Sequence, residues 1–355
     1  MRIAILSPVW FPVPPEGYGG IEWVVSLLAD GLVEAGHEVT LFASGDSYSK
    51  AMLAAVFDQA PSDQIGKTSP ELRHVLACYE RADEFDIVND HSGPLAAAVG
   101  GAIATPVVHT VHGPLTGRDG ELYASLARVS PRVGLISVSM NQRKPQPDLP
   151  WVATCHNAID LSAYPVHSER GEYLLFLGRM NADKGCHRAC EVAREAGVPL
   201  RIAGKMREPA EREYFEEYVA PYLGDGIEYL GETSHGKKVA LLQNARATIF
   251  PIEWEEPFGL VMIESMACGT PVIATRWGAV PEVIEHGRSG IVVDDHREMP
   301  AALAEADRLE PLECRRSVEE RFSAERMVRE YEAAYESMLA STPAPATSAA
   351  PAAPA

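Results

Sequence analysis

Cations are scarce in this chain: 31 Lys and Arg stand against 50 Asp and Glu, a formal net charge of −19 over 355 residues. Such a surface repels phosphate backbones and anionic lipid faces, so nucleic acid is not an expected partner. Cysteine is sparse too. Cys78, Cys155, Cys186, Cys190, Cys268 and Cys314 show no CxxC spacing, which fits a reducing cytoplasmic setting and no structural zinc. Long apolar runs are missing: four apolar residues precede Ser7-Pro8, and residues 95–108 are broken by Gly100, Gly101, Thr105 and Pro106. Neither a signal-peptide core nor a transmembrane segment is expected. Several signatures are also lacking. Without an Asp-x-Asp pair, dedicated metal chemistry is disfavoured. Without G-x-S-x-G or a P-loop, esterase and P-loop readings lose their marks.

What remains is an ordinary globular composition, 46% apolar and 23% charged, with length enough for two domains of about 150 residues each. Residues 3–6 read as a buried strand, after which Ile21, Val24, Val25, Leu28 and Leu32 share one helical face up to Gly36. A strand at 39–43 completes a βαβ unit with parallel strands. Further strands are expected at 86–88, 106–111 and 133–138, with helical stretches between them. From Glu172 the pattern restarts, with strands at 173–177, 200–203, 227–230, 248–250 and 271–274. The expected fold is therefore α/β: two Rossmann-like, doubly wound parallel-sheet domains facing each other across a cleft. Their bounds are read as 1–165 and 171–322, joined by a linker over 161–171 and followed by a helix at 323–340. The Ala/Pro-rich stretch 341–355 cannot pack a core and reads as disordered. In this architecture ligands bind outside the carboxyl ends of the strands.

The chemistry-bearing residues fall on those loops. Glu256-Pro257-Phe258-Gly259-Leu260 leads into a helix that carries Glu264 among apolar neighbours. A buried carboxylate is costly unless hydrogen-bonded, and a pair of sugar or ribose hydroxyls would satisfy it. The amides around Phe258, Gly259 and Leu260 form an anion site at the helix start. A narrow wet stripe of Glu264 and Ser265 explains the same spacing. Arg179 and Lys184 bracket a loop between a strand and a helix, where a diphosphate would fit or where two solvated charges would sit. Gly17-Tyr18-Gly19-Gly20-Ile21-Glu22 occupies the first strand-to-helix turn but does not match the G-x-G-x-x-G dinucleotide fingerprint. His109 and His112 end one strand and point opposite ways; His112, before Gly113-Pro114, is the one placed to reach the cleft. His91 follows another strand.

Taken together, the motifs Tyr18-Gly19-Gly20-Ile21-Glu22, Thr110-Val111-His112-Gly113, Asn157-Ala158-Ile159-Asp160, Arg179 with Lys184, Glu256 with Glu264, and Gly269-Thr270-Pro271-Val272 resemble the retaining glycosyltransferases of family 4. Those enzymes have the two-Rossmann fold called GT-B. Ala158 departs from the Gly usual at that position. The resemblance implies transfer of a hexosyl group from a nucleotide-diphosphate sugar, a co-substrate, to an acceptor hydroxyl, with no further cofactor and no metal. By it, Glu264 holds the ribose, Glu256 the donor sugar, and Arg179 and Lys184 the diphosphate. His112 lies against the sugar, while Gly19, Gly20, Glu22, His91, Phe258, Gly259 and Leu260 complete the substrate-binding set. A nucleotide-sugar epimerase of the same fold or a non-catalytic nucleotide-sugar-binding protein would need many of these residues. A NAD-dependent dehydrogenase would need the missing fingerprint.

Overall fold

The computed structural model describes residues 1–17 and 19–341, so Tyr18 and the stretch expected to be disordered from 342 on lie outside the described residues. Ser341 itself closes the last helix, Ala324–Ser341. Buried, β-branched runs build two parallel sheets. The first holds β1 (Arg2–Leu6), β2 (Glu38–Phe42), β3 (Met52–Ala54), β4 (Ile87–Asp90), β5 (Val107–Val111), β6 (Val133–Ser137) and β7 (Trp151–Thr154). Its spatial order is β3-β2-β1-β4-β5-β6-β7. The second holds β8 (Tyr173–Leu177), β9 (Leu200–Ala203), β10 (Ile227–Tyr229), β11 (Ala245–Phe250), β12 (Val272–Thr275) and β13 (Gly290–Val293), in the order β10-β9-β8-β11-β12-β13. β3, β7 and β13 were absent from the sequence reading.

Each sheet reverses direction of growth once, between β1 and β4 and between β8 and β11. At such a switch point the flanking helices diverge and leave a crevice at the carboxyl ends of the strands. The first crevice is roofed by the Gly20–Glu34 helix, the second by the Leu260–Ala267 helix. These two helix starts approach closely: a Cβ on Gly20 would lie 3.1 Å from Leu260 Cδ1.

The Ala324–Ser341 helix returns from the second sheet to the first. Met327, Val328, Tyr331, Ala334 and Tyr335 are buried in one cluster with Ile3, Ile5, Val24 and Leu28. Chain beyond the second sheet thus completes the core of the first.

Candidate active site

Two compartments, of about 220 and 430 Å3, meet between the sheets and share Gly20, Leu177, Gly178, Leu260 and Val261. The smaller contains Trp23, Tyr164, Lys205, His235, Lys238 and Glu264; the larger contains His112, Arg179, Lys184, Trp254, Glu256 and Phe258. The structure therefore brings Arg179, Lys184, Glu256, Glu264 and His112 to one cleft.

Both helices that open on it begin with a glycine N-cap, Gly19 and Gly259, and neither has a side-chain cap. Uncapped helix starts expose backbone N–H groups and the positive end of the helix dipole, and here two of them face one space. Gly259 sits at φ 85, in the left-handed region that only glycine adopts at little cost.

Glu256 is 7% exposed and Glu264 9%. Neither stands alone. Lys184 pairs with Glu256 Oε2, to which Trp254 Nε1 also donates at 3.0 Å. The lysine lies over the Trp254 ring at 4.6 Å, a cation–π contact. Glu264 Oε1 accepts from Tyr164 at 2.7 Å and from Lys238 at 2.6 Å. Burial, then the charge of Glu264, raises the Tyr164 phenol, so it stays protonated and donates. Both donors use one oxygen of Glu264, which leaves Oε2 to accept from a ligand. Arg179 is half-buried and its guanidinium hydrogen-bonds to none of the described residues.

Sequence reasoning missed Tyr164, Lys238, His235 and Trp23. Tyr164 fell in a stretch read as a linker, yet its ring meets His235 edge-on at 5.1 Å. His235 in turn meets Trp23 of the opposite half at 5.5 Å. Both nitrogens of the His235 ring are buried without a hydrogen-bond partner among the described residues.

Two residues expected to contact substrate line neither compartment. His91 is 2% exposed and lies behind His112, with both ring nitrogens already engaged. Glu22 is buried in the first turn of its helix and lines neither compartment; burial pushes its carboxyl up to about 7. His109 is buried against Asp90 (2.5 Å) and Tyr123 (2.8 Å), a structural role.

A two-Rossmann fold with paired carboxylates, four cations and two uncapped helix starts in its cleft defines a GT-B glycosyltransferase. The family model described as "Glycosyltransferase Family 4" matches residues 18–141, and "Glycosyl transferases group 1" matches 161–321. The chain belongs to the glycosyltransferases of family 4. It is 28% identical over 338 residues to a phosphatidyl-myo-inositol mannosyltransferase of Mycolicibacterium smegmatis, covering 85% of this chain and 84% of that one. Among solved structures, AviGT4, a glycosyltransferase involved in avilamycin A biosynthesis, superposes with a TM-score of 0.70 at 26% identity, covering 96% of this chain and 98% of that one. Anabaena HepE, solved with UDP-glucose, superposes at 0.72 with 17% identity, covering 95% of this chain and 100% of that one. No helix among the described residues is long and apolar enough to cross a membrane.

Proposed function

We propose that the protein moves a hexosyl group from a nucleotide-diphosphate sugar to an acceptor hydroxyl with retention of anomeric configuration, without a metal ion or further cofactor, in the cytoplasm. The observation that carries the reading is the set of fixed positive groups in one cleft: Arg179, Lys184 and the amides that follow Gly19 and Gly259. As the sugar–phosphate bond lengthens, negative charge grows on the departing diphosphate. These cations and amides stabilise that state more than the ground state. Arg179 can grip two oxygens with its planar fork, while Lys184 acts as a point charge. Glu264 Oε2 is available to ribose hydroxyls, and Glu256 stands where donor-sugar hydroxyls would lie. HepE, with UDP-glucose bound, supports a donor of this class. Because Glu256 is tied to Lys184 and Trp254, its carboxylate is not free to act as a nucleophile, which favours front-face attack with leaving phosphate taking the acceptor proton. All six thiols are free and buried, in keeping with a reducing compartment.

The test is proton NMR of the first product from a donor of known anomer, with initial rates taken in excess EDTA and then with magnesium. An α-donor giving an α-product at a rate untouched by EDTA is expected. A β-product, or activity lost to EDTA and restored by metal, overturns the respective part.

A further inference from the structure

We propose that Tyr335, Asn89 and His91 form a hydrogen-bond relay that fixes His112 as its Nε2–H tautomer and so presents an unprotonated Nδ1 to the cleft. This rests on the reading above, in which His112 borders the donor sugar.

The relay is ordered from its far end. Asn89 donates through Nδ2 to the Val108 carbonyl at 3.4 Å and to Thr110 Oγ1 at 3.1 Å. A backbone carbonyl cannot donate, so the amide orientation is set and Oδ1 must face the other way. There Oδ1 accepts from the Tyr335 hydroxyl at 2.8 Å and lies 2.8 Å from His91 Nε2. An amide oxygen only accepts, so the proton of His91 resides on Nε2. Burial, then the neighbouring His112, pushes His91 well below its ordinary range, and burial likewise lowers His112. Both rings are neutral, so His91 Nδ1 is a lone pair. His112 Nε2 sits 2.9 Å from it and must donate. That leaves His112 Nδ1 as an acceptor that is not buried, on a residue lining the larger compartment. A ring nitrogen's state is set by the bond its other nitrogen makes, and here the setting runs to the Ala324–Ser341 helix. Tyr335, Asn89 and His91 are thus positioning residues, and His112 receives a hydroxyl hydrogen bond from substrate.

The full-length protein, labelled with 15N-histidine, tests this without substrate. In wild type the His112 Nε2 should carry the proton and Nδ1 resonate as an unprotonated nitrogen. Asn89→Ala should mix the two tautomers. Asn89→Asp should charge His91, turn its Nδ1 into a donor and reverse His112 to Nδ1–H. In turnover assays Asn89→Ala should lower kcat about 10-fold or more with donor KM little changed, and Tyr335→Phe should lower it less. Nδ1–H in wild type overturns the relay, as do unchanged His112 shifts and kcat in folded Asn89→Ala. Should a variant fail to fold, the wild-type spectrum and Tyr335→Phe still decide it. A protein that transfers no sugar would overturn the functional reading, whereas the tautomer is read regardless.

Discussion

At the scale of single residues, the two carboxylates of the cleft are held in different ways, and the difference has measurable results. Glu264 keeps one oxygen for its protein donors and one for a ligand. Glu256 and Lys184 occupy each other, so an arriving diphosphate must compete for the lysine. Glu264→Gln should weaken free nucleoside diphosphate about 10-fold, the loss of one charge-assisted hydrogen bond. Glu256→Gln releases Lys184 and should leave that affinity unchanged or raise it, while turnover falls. Calorimetry with the free nucleotide separates the two; equal weakening in both variants contradicts this account. The pair Glu256 and Glu264, and the pair Arg179 and Lys184, were legible in sequence because each sits within one motif. Lys238 and Tyr164 were not, because what gives them meaning is Glu264, which lies 26 and 100 residues away.

At the scale of elements, the strands that pattern reading found include continuously apolar Tyr173–Leu177 and the Val-rich Val107–Val111. β3 is three residues long, β7 is half-buried throughout, and β13 opens on a glycine. Edge position weakens the burial signal in β3 and β7, while β13, though buried, is only four residues long. The turn after β12 shows how an element boundary shapes the site. Gly278, at φ 54, lies so near the Glu256 backbone that an added Cβ would stand 2.2 Å from its amide nitrogen, and Ala279 N donates to Glu256 O at 2.9 Å. Gly278→Ala must therefore displace the loop that carries Glu256. Gly287, at φ 79 with nothing within 4 Å of an added Cβ, is the matched control. We expect Gly287→Ala to cost about 1–2 kcal/mol of backbone strain with kcat preserved, and Gly278→Ala to cost more and to depress kcat. Urea unfolding and initial rates check both; similar kcat values would refute the role of the Gly278 approach in placing Glu256.

At the scale of the whole molecule, the halves are joined by Glu282. From the short Val280–Val283 helix it accepts from the Met140 and Asn141 amides at 2.9 and 3.1 Å, the start of the Met140–Arg143 helix on the other side. It also meets His156 Nε2 at 2.6 Å. Burial alone would raise its carboxyl, but His156 and the two amides hold it below its ordinary value. A lowered carboxyl stabilises above its unfolded pKa and ceases to do so as pH falls through the folded value. The interface should accordingly loosen on acidification. Glu282→Ala should do the same at neutral pH, seen as a larger radius of gyration by X-ray scattering and a donor KM raised severalfold. Unchanged scattering in that variant would show that other contacts set the opening.

The return of the Ala324–Ser341 helix to the first sheet has a consequence for biosynthesis. A ribosome releases β1–β7 early, yet the groove that Tyr331 and Tyr335 fill stays open until the entire second half has been translated. The second sheet can bury its own apolar residues as it emerges, whereas the first must wait with an unfilled groove. The half made first is thus finished last, and throughout elongation it is the half that offers apolar surface to chaperones.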